Sequence, residues 1–258
     1  MKKLIVIFVL FLTAGTINGQ KYYEQYPPYE TWIKTLKFNV LDINLNKKVI
    51  GFKHVYELLP SYTYDGGGEN AEKPVDCGYA GMESNPKAGV VLGVYDLEKG
   101  EFIKTFTVYK SSFKKSECFK HETSAANLDS AKELFKEYNL DITKKMKPLV
   151  FDKKDKKTTS LNLNGINITS SYESNYDEMK SVSNLYTNNK LLYYVEHHDN
   201  FAMASHAEIF YTAAYKKGNK VVFLIKYFHT HNMEGPSSYE FHYFSPIFTT
   251  ANGQLSKE

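Results

Sequence analysis

The chain has 258 residues, 42% of them hydrophobic and 24% charged, with two cysteines and a formal net charge of +3. That length and balance describe a globular protein able to bury a sizeable core, and exclude collagen-like, disordered and multi-span membrane classes. Two cysteines exclude a disulfide-dense mini-scaffold and a four-cysteine zinc site, and a near-neutral chain whose basic residues are all Lys is a poor nucleic-acid binder.

Lys2 and Lys3 precede an apolar run from Leu4 to Ala14, and small and polar residues follow through Gly19. The pattern predicts a secretory signal peptide over 1–19, cut after Gly19 or alternatively after Gly15. The run is about half the roughly 20 apolar residues that a membrane span needs, and no later run approaches that length. No cysteine stands near the cut, so no lipid anchor is expected. The expected location is the periplasm or the cell exterior, with no membrane span.

Past the leader, Tyr22, Tyr23, Tyr26, Tyr29 and Trp32 crowd around Pro27 and Pro28, which oppose helix and predict an extended segment. Lys37–Ile43 and Lys48–Leu58 read as strands. Gly66, Gly67 and Gly68 lack the spacing of a phosphate-cradling loop. Val90–Leu97 and Phe102–Tyr109 form a hairpin around Glu98-Lys99-Gly100-Glu101. Leu128, Ala131, Leu134, Phe135 and Tyr138 recur at helical spacing, with Asn127 as expected cap and Asn139 as left-handed exit.

Lys144 to Lys157 carries seven lysines against Asp152 and Asp155, which reads as a solvated linker with a hairpin tip, or as a contact for an anionic polymer. Beyond it strands dominate: Thr159–Tyr172, Leu191–His197, Ala204–Tyr215, Lys220–His231 and Tyr239–Phe248. The fold class expected is α+β, predominantly antiparallel β-sheet with one short helix at about 127–139. Domain organisation is either a mixed half (20–146) followed by an all-β half (147–258), or one continuous domain over 20–258.

Two constellations carry chemistry. Cys77 and Cys118 flank the first hairpin, and in an oxidising compartment they predict one disulfide contributing about 4 kcal/mol by loop closure. The alternative makes Cys118 a nucleophile beside His121. Six of the eight histidines fall in the last quarter. A type II′ turn at Gly218-Asn219 would place Lys217 opposite Lys220, Glu208 opposite His229 and His206 opposite His231. His206, Glu208, His229 and His231 then share a face and form a candidate zinc site. The usual catalytic signatures are missing, so the expected role is a non-catalytic binding or envelope-associated module with an unidentified ligand or envelope protein as partner. The alternative is a metal-dependent hydrolase or lyase using the histidine cluster, with metal-bound water as nucleophile.

Overall fold

A computed structural model describes residues 19–23, 33–58, 87–112, 120–175, 180–198, 205–231 and 237–258. In chain order these form β1 (Gly19–Tyr23), β2 (Ile33–Asn44), β3 (Val49–Leu58), β4 (Lys87–Asp96), β5 (Glu101–Ser112), β6 (Lys120–Thr123) and helix α1 (Ala125–Glu137). There follow β7 (Leu149–Val150), β8 (Asp152–Lys153), β9 (Thr158–Leu163), β10 (Ile166–Asn175), β11 (Lys180–Thr187) and β12 (Lys190–His198). The last are β13 (Ser205–Lys217), β14 (Lys220–His231), β15 (Ser237–Phe244), β16 (Phe248–Ala251) and β17 (Gln254–Lys257). The fold is α+β, mostly antiparallel sheet with a single short helix among the described residues.

The turns follow from local chemistry. Asp96 accepts the N–H groups of Glu98 (2.8 Å) and Lys99 (2.9 Å), which closes the β4–β5 hairpin at the expected place. Asn164-Gly165 and Asn188-Asn189 both have positive φ, as type I′ turns require. Thr159–Tyr172 is therefore two strands folded on an Asn-Gly turn rather than one run. At Gly218-Asn219 only the glycine has positive φ, which fits the expected type II′ turn, and Lys217 pairs with Lys220.

Helix α1 begins earlier than expected. Ser124, not Asn127, is the cap: its hydroxyl accepts the Asn127 N–H at 3.2 Å, while the Asn127 side chain donates to the Thr107 carbonyl at 2.8 Å. Asn139 does take the left-handed exit. The N–H of Leu140 returns to Phe135 O at 2.8 Å and that of Asn139 to Lys136 O at 3.0 Å, a Schellman closure. Ala131, Leu134 and Phe135 are buried.

The strands form three sheets: a helix-backed sheet ordered β2-β3-β4-β5-β6; a central sheet ordered β17-β16-β14-β13-β7, with β15 also on β14; and an outer sheet ordered β1-β12-β11-β10-β9-β8. Helix α1 packs through Leu134 and Phe135 onto Leu41, Val49 and Val94 of the helix-backed sheet. Gly51 admits it, because a Cβ there would lie 2.5 Å from the Phe135 ring. The other face of that sheet packs through Val40, Phe52 and Tyr95 onto Ala213, Val222, Leu224 and Phe244 of the central sheet, joining residues from both sides of position 147. The opposite face of the central sheet packs through Tyr211, Val221, Phe223 and Ile225 onto Ile168, Leu185, Tyr193 and Val195 of the outer sheet. A sheet covered on both faces needs apolar residues at successive positions, and Val221 to Ile225 are all buried.

Candidate functional site

The sheets share a polarity. The turns 45–48, 97–100, 164–165, 188–189 and 218–219 lie at one end, and the opposite strand ends, among them Tyr23, Leu58, Asn175, His198, Ser205 and His231, lie at the other. Toward this second end the apolar layers give way to imidazole, phenol and carboxylate groups. They sit back to back on the two faces of β14 and β15, because neighbouring residues of a strand point to opposite sides.

One face, with Lys226, Glu240 and His242, meets the helix-backed sheet. The rings of Phe38 and His242 stack with centroids 4.5 Å apart and an interplanar angle of 14°. The His54 ring lies 5.5 Å from that of His242, and its Nε2 is 3.0 Å from Thr35 Oγ1. The Thr35 N–H donates to Glu240 Oε2 at 3.0 Å, and Lys226 Nζ donates to Oε1 at 2.5 Å. Burial pushes the His54 imidazole down to about 3. Burial, followed by the neighbouring His54 and the Lys226 charge, holds His242 well below its ordinary value. Both rings are therefore neutral at pH 7, serving as hydrogen-bonding and stacking groups.

The other face carries Tyr227 and Tyr243. His197 of β12 stacks on Tyr227 with centroids 3.7 Å apart, and its Nδ1 lies 3.5 Å from the Tyr243 hydroxyl. On the opposite face of β12 the buried Glu196 carboxylate takes an ion pair from Lys180 at 3.0 Å and a close contact from His198 Nε2. Lys180 and His198 are 28% and 29% exposed, so this group offers ammonium and imidazole at the surface. Parallel pairing of β1 with β12 sets Lys21, Tyr22 and Tyr23 opposite Glu196, His197 and His198.

The expected convergence of His206, Glu208, His229 and His231 requires a register that stops short of them. Lys217 to Ala213 pair with Lys220 to Leu224 as expected, but the register shifts between Tyr211 and Ala213. Beyond that β-bulge at Thr212, Glu208 stands opposite Phe228, Ala207 opposite His229, His206 opposite Thr230 and Ser205 opposite His231. The two halves of the expected cluster are one residue out of step. The cause is apolar burial. The unshifted register would put Ile209 opposite Phe228 and Tyr211 opposite Lys226, whereas the bulge gives them Tyr227 and Ile225, in the core shared with the outer sheet. Thr212 itself bonds outward: its carbonyl accepts the Phe151 N–H at 3.1 Å and its Oγ1 donates to Leu224 O at 3.2 Å.

Glu208 instead accepts from the Tyr172 hydroxyl at 3.1 Å. The side chains of His121, His206, His229 and His231 lie outside the described residues, as do Cys77 and Cys118. Among the described residues no three His, Cys, Asp or Glu groups are placed to hold a metal ion. Sequence reasoning passed over His54, Glu240 and Lys226. Only the excess of histidines hinted at this end, since His54 and His242 meet across a sheet interface. Comparison of the chain with protein families, curated proteins and solved structures found no match.

Proposed function

We propose that the chain is an exported, non-catalytic binding module of the cell envelope that holds its ligand at the end of the sheets where the histidines and tyrosines gather. The observation that carries this reading is the change of side chains toward one end of the sheets, where His197 stacks on Tyr227 with centroids 3.7 Å apart and the partly exposed Lys180 and His198 meet the Glu196 carboxylate on the outer face of β12. Imidazole, phenol and ammonium groups gathered at the end of a sheet base suit contacts with a polar, ring-bearing ligand such as a glycan.

The test is cosedimentation of the processed protein with isolated, insoluble envelope polysaccharide at high salt, where charge contacts are screened. Soluble sugar is measured in the same tubes. Saturable retention with no sugar released is the expected result. Protein left in the supernatant, or sugar released in proportion to enzyme and time, would overturn the reading.

A further inference from the structure

Between α1 and β9 the chain takes a path that serves none of the three sheets alone. The Met146 N–H donates to Val40 O at 3.0 Å, on the edge strand of the helix-backed sheet. Leu149 and Val150 pair with Ala214 and Ala213 as the edge of the central sheet. Asp152 and Lys153 pair with Ser160 and Thr159 as the edge of the outer sheet. The segment is a strap laid across one flank of the whole stack. Packed sheets stand about 10 Å apart, so the crossing takes about 20 Å, which an extended chain from Met146 to Asp152 covers at about 3.3 Å per residue.

The strap sorts its residues by side. Met146, Leu149 and Phe151 turn inward onto the sheet cores. Lys144 is tied to the buried Asp42 carboxylate at 3.0 Å. Lys145, Lys147, Lys153, Lys154, Lys156 and Lys157 are all exposed, and Val150, 63% exposed, stands among them. Of the acidic groups nearby, Asp152 is exposed, while Asp155 accepts the N–H groups of Lys157 (2.7 Å) and Thr158 (2.8 Å), and Asp141 that of Thr143 (2.9 Å). Among the described residues, Lys145, Lys147, Lys154, Lys156 and Lys157 have no carboxylate partner.

We infer that this strap is a docking surface for a linear anionic polysaccharide lying along the flank. A row of ammonium groups, flexible and without guanidinium forks, matches repeated point charge rather than one shaped ligand. An anionic membrane would present the same charge as a plane, but surface insertion draws on a broad apolar face, and the strap turns outward only Val150. The inference stands on the strap's own geometry and does not depend on the ligand site proposed at the histidine end.

The probe is heparin, titrated against the full processed protein over a range of salt concentrations. Binding should weaken linearly in logarithmic plots. Replacing Lys145, Lys147, Lys154, Lys156 and Lys157 together by Gln should weaken it more than tenfold at low salt and reduce the slope by about 4, at roughly 0.7–0.9 per ammonium lost. A control replaces Lys99, Lys104, Lys132, Lys136 and Lys190, exposed lysines elsewhere, and should change the slope by less than one unit. Equal losses in both sets, tighter binding of the wild type to anionic phospholipid vesicles than to heparin, or no heparin binding at low salt would each overturn the inference.

Discussion

His54 and His242 are 1% and 7% exposed, sandwiched between two sheets. The groups facing them are Thr35 and Phe38 of β2, Tyr56 of β3, Lys226 of β14 and Glu240 of β15, whose carboxylate is already engaged by Lys226 and the Thr35 N–H. In the unfolded chain both imidazoles titrate near 6.5. In the folded protein burial drives His54 down to about 3, and burial together with His54 and Lys226 drives His242 well below 6.5. Below pH 6.5 the unfolded state therefore binds protons that the folded state refuses, and stability falls as pH falls. An imidazole held neutral costs up to about 1.4 kcal/mol per pH unit, so His54 alone should cost about 2 kcal/mol between pH 6.5 and 4.5, and His242 adds to the loss in the same direction. Against the roughly 5–15 kcal/mol typical of a folded domain, that is a measurable loss. Asp42 acts in a separate window: burial raises its pKa, but Lys144, the N–H groups of Asp141 and Ile43, and Lys217 outweigh burial, so its contribution is lost only below about pH 4. Urea unfolding at half-unit pH steps measures the slope. The double substitution His54→Gln and His242→Phe keeps a hydrogen-bonding group near Thr35 and a ring on Phe38, and should flatten the curve above pH 4.5. A wild type whose stability is constant from pH 6.5 to 4.5, or a variant with the parental slope, would refute the reasoning.

Thr212 is the one unpaired residue of this ladder, so deleting it leaves Tyr211 opposite Ile225 and Ile209 opposite Tyr227 and removes only the hydrogen bonds that Thr212 makes to Phe151 and Leu224. The expected loss is about 1–3 kcal/mol in chemical denaturation, and a deletion variant that no longer folds cooperatively would show that the register does not change at Thr212. Because His206 and Glu208 stand one residue out of step with His229 and His231, calorimetric titration with zinc should give equal, weak binding in the wild type and in His231→Ala; a large difference would restore the metal site. The proposed export predicts a Cys77–Cys118 bond, so thiol labelling of the unfolded, unreduced chain from its native host should find no free sulfhydryl, and two labelled thiols would contradict this.

Much of the fold was legible in the chain. The β4–β5 hairpin, the β13–β14 turn and the helix exit at Asn139 follow from short-range rules that apply wherever those residues occur. Strand β11 was passed over because its inward face is Ser181, Ser183 and Leu185, all buried, so alternation of hydrophobicity runs against alternation of burial. The turn at Asn164-Gly165 was readable by the same rule as Gly218-Asn219 but was absorbed into a long β-rich run. The candidate site was less legible. The shift at Thr212 depends on which core each face of the central sheet meets, and His54 finds His242 across a sheet interface. Neither relation is local in sequence, so no spacing rule could have announced them.

Lys180 and His198 stand partly exposed on the Glu196 carboxylate at the proposed ligand end. Calorimetric titration of the wild type and of the Lys180→Gln, His198→Gln double variant with soluble fragments of envelope polysaccharide, at high salt, is the most direct test of the central claim. The account expects saturable binding that the double substitution weakens about tenfold and the five strap lysine substitutions leave intact. Equal binding in the wild type and the double variant, or no binding at all, would contradict the claim that this end of the sheets holds the ligand.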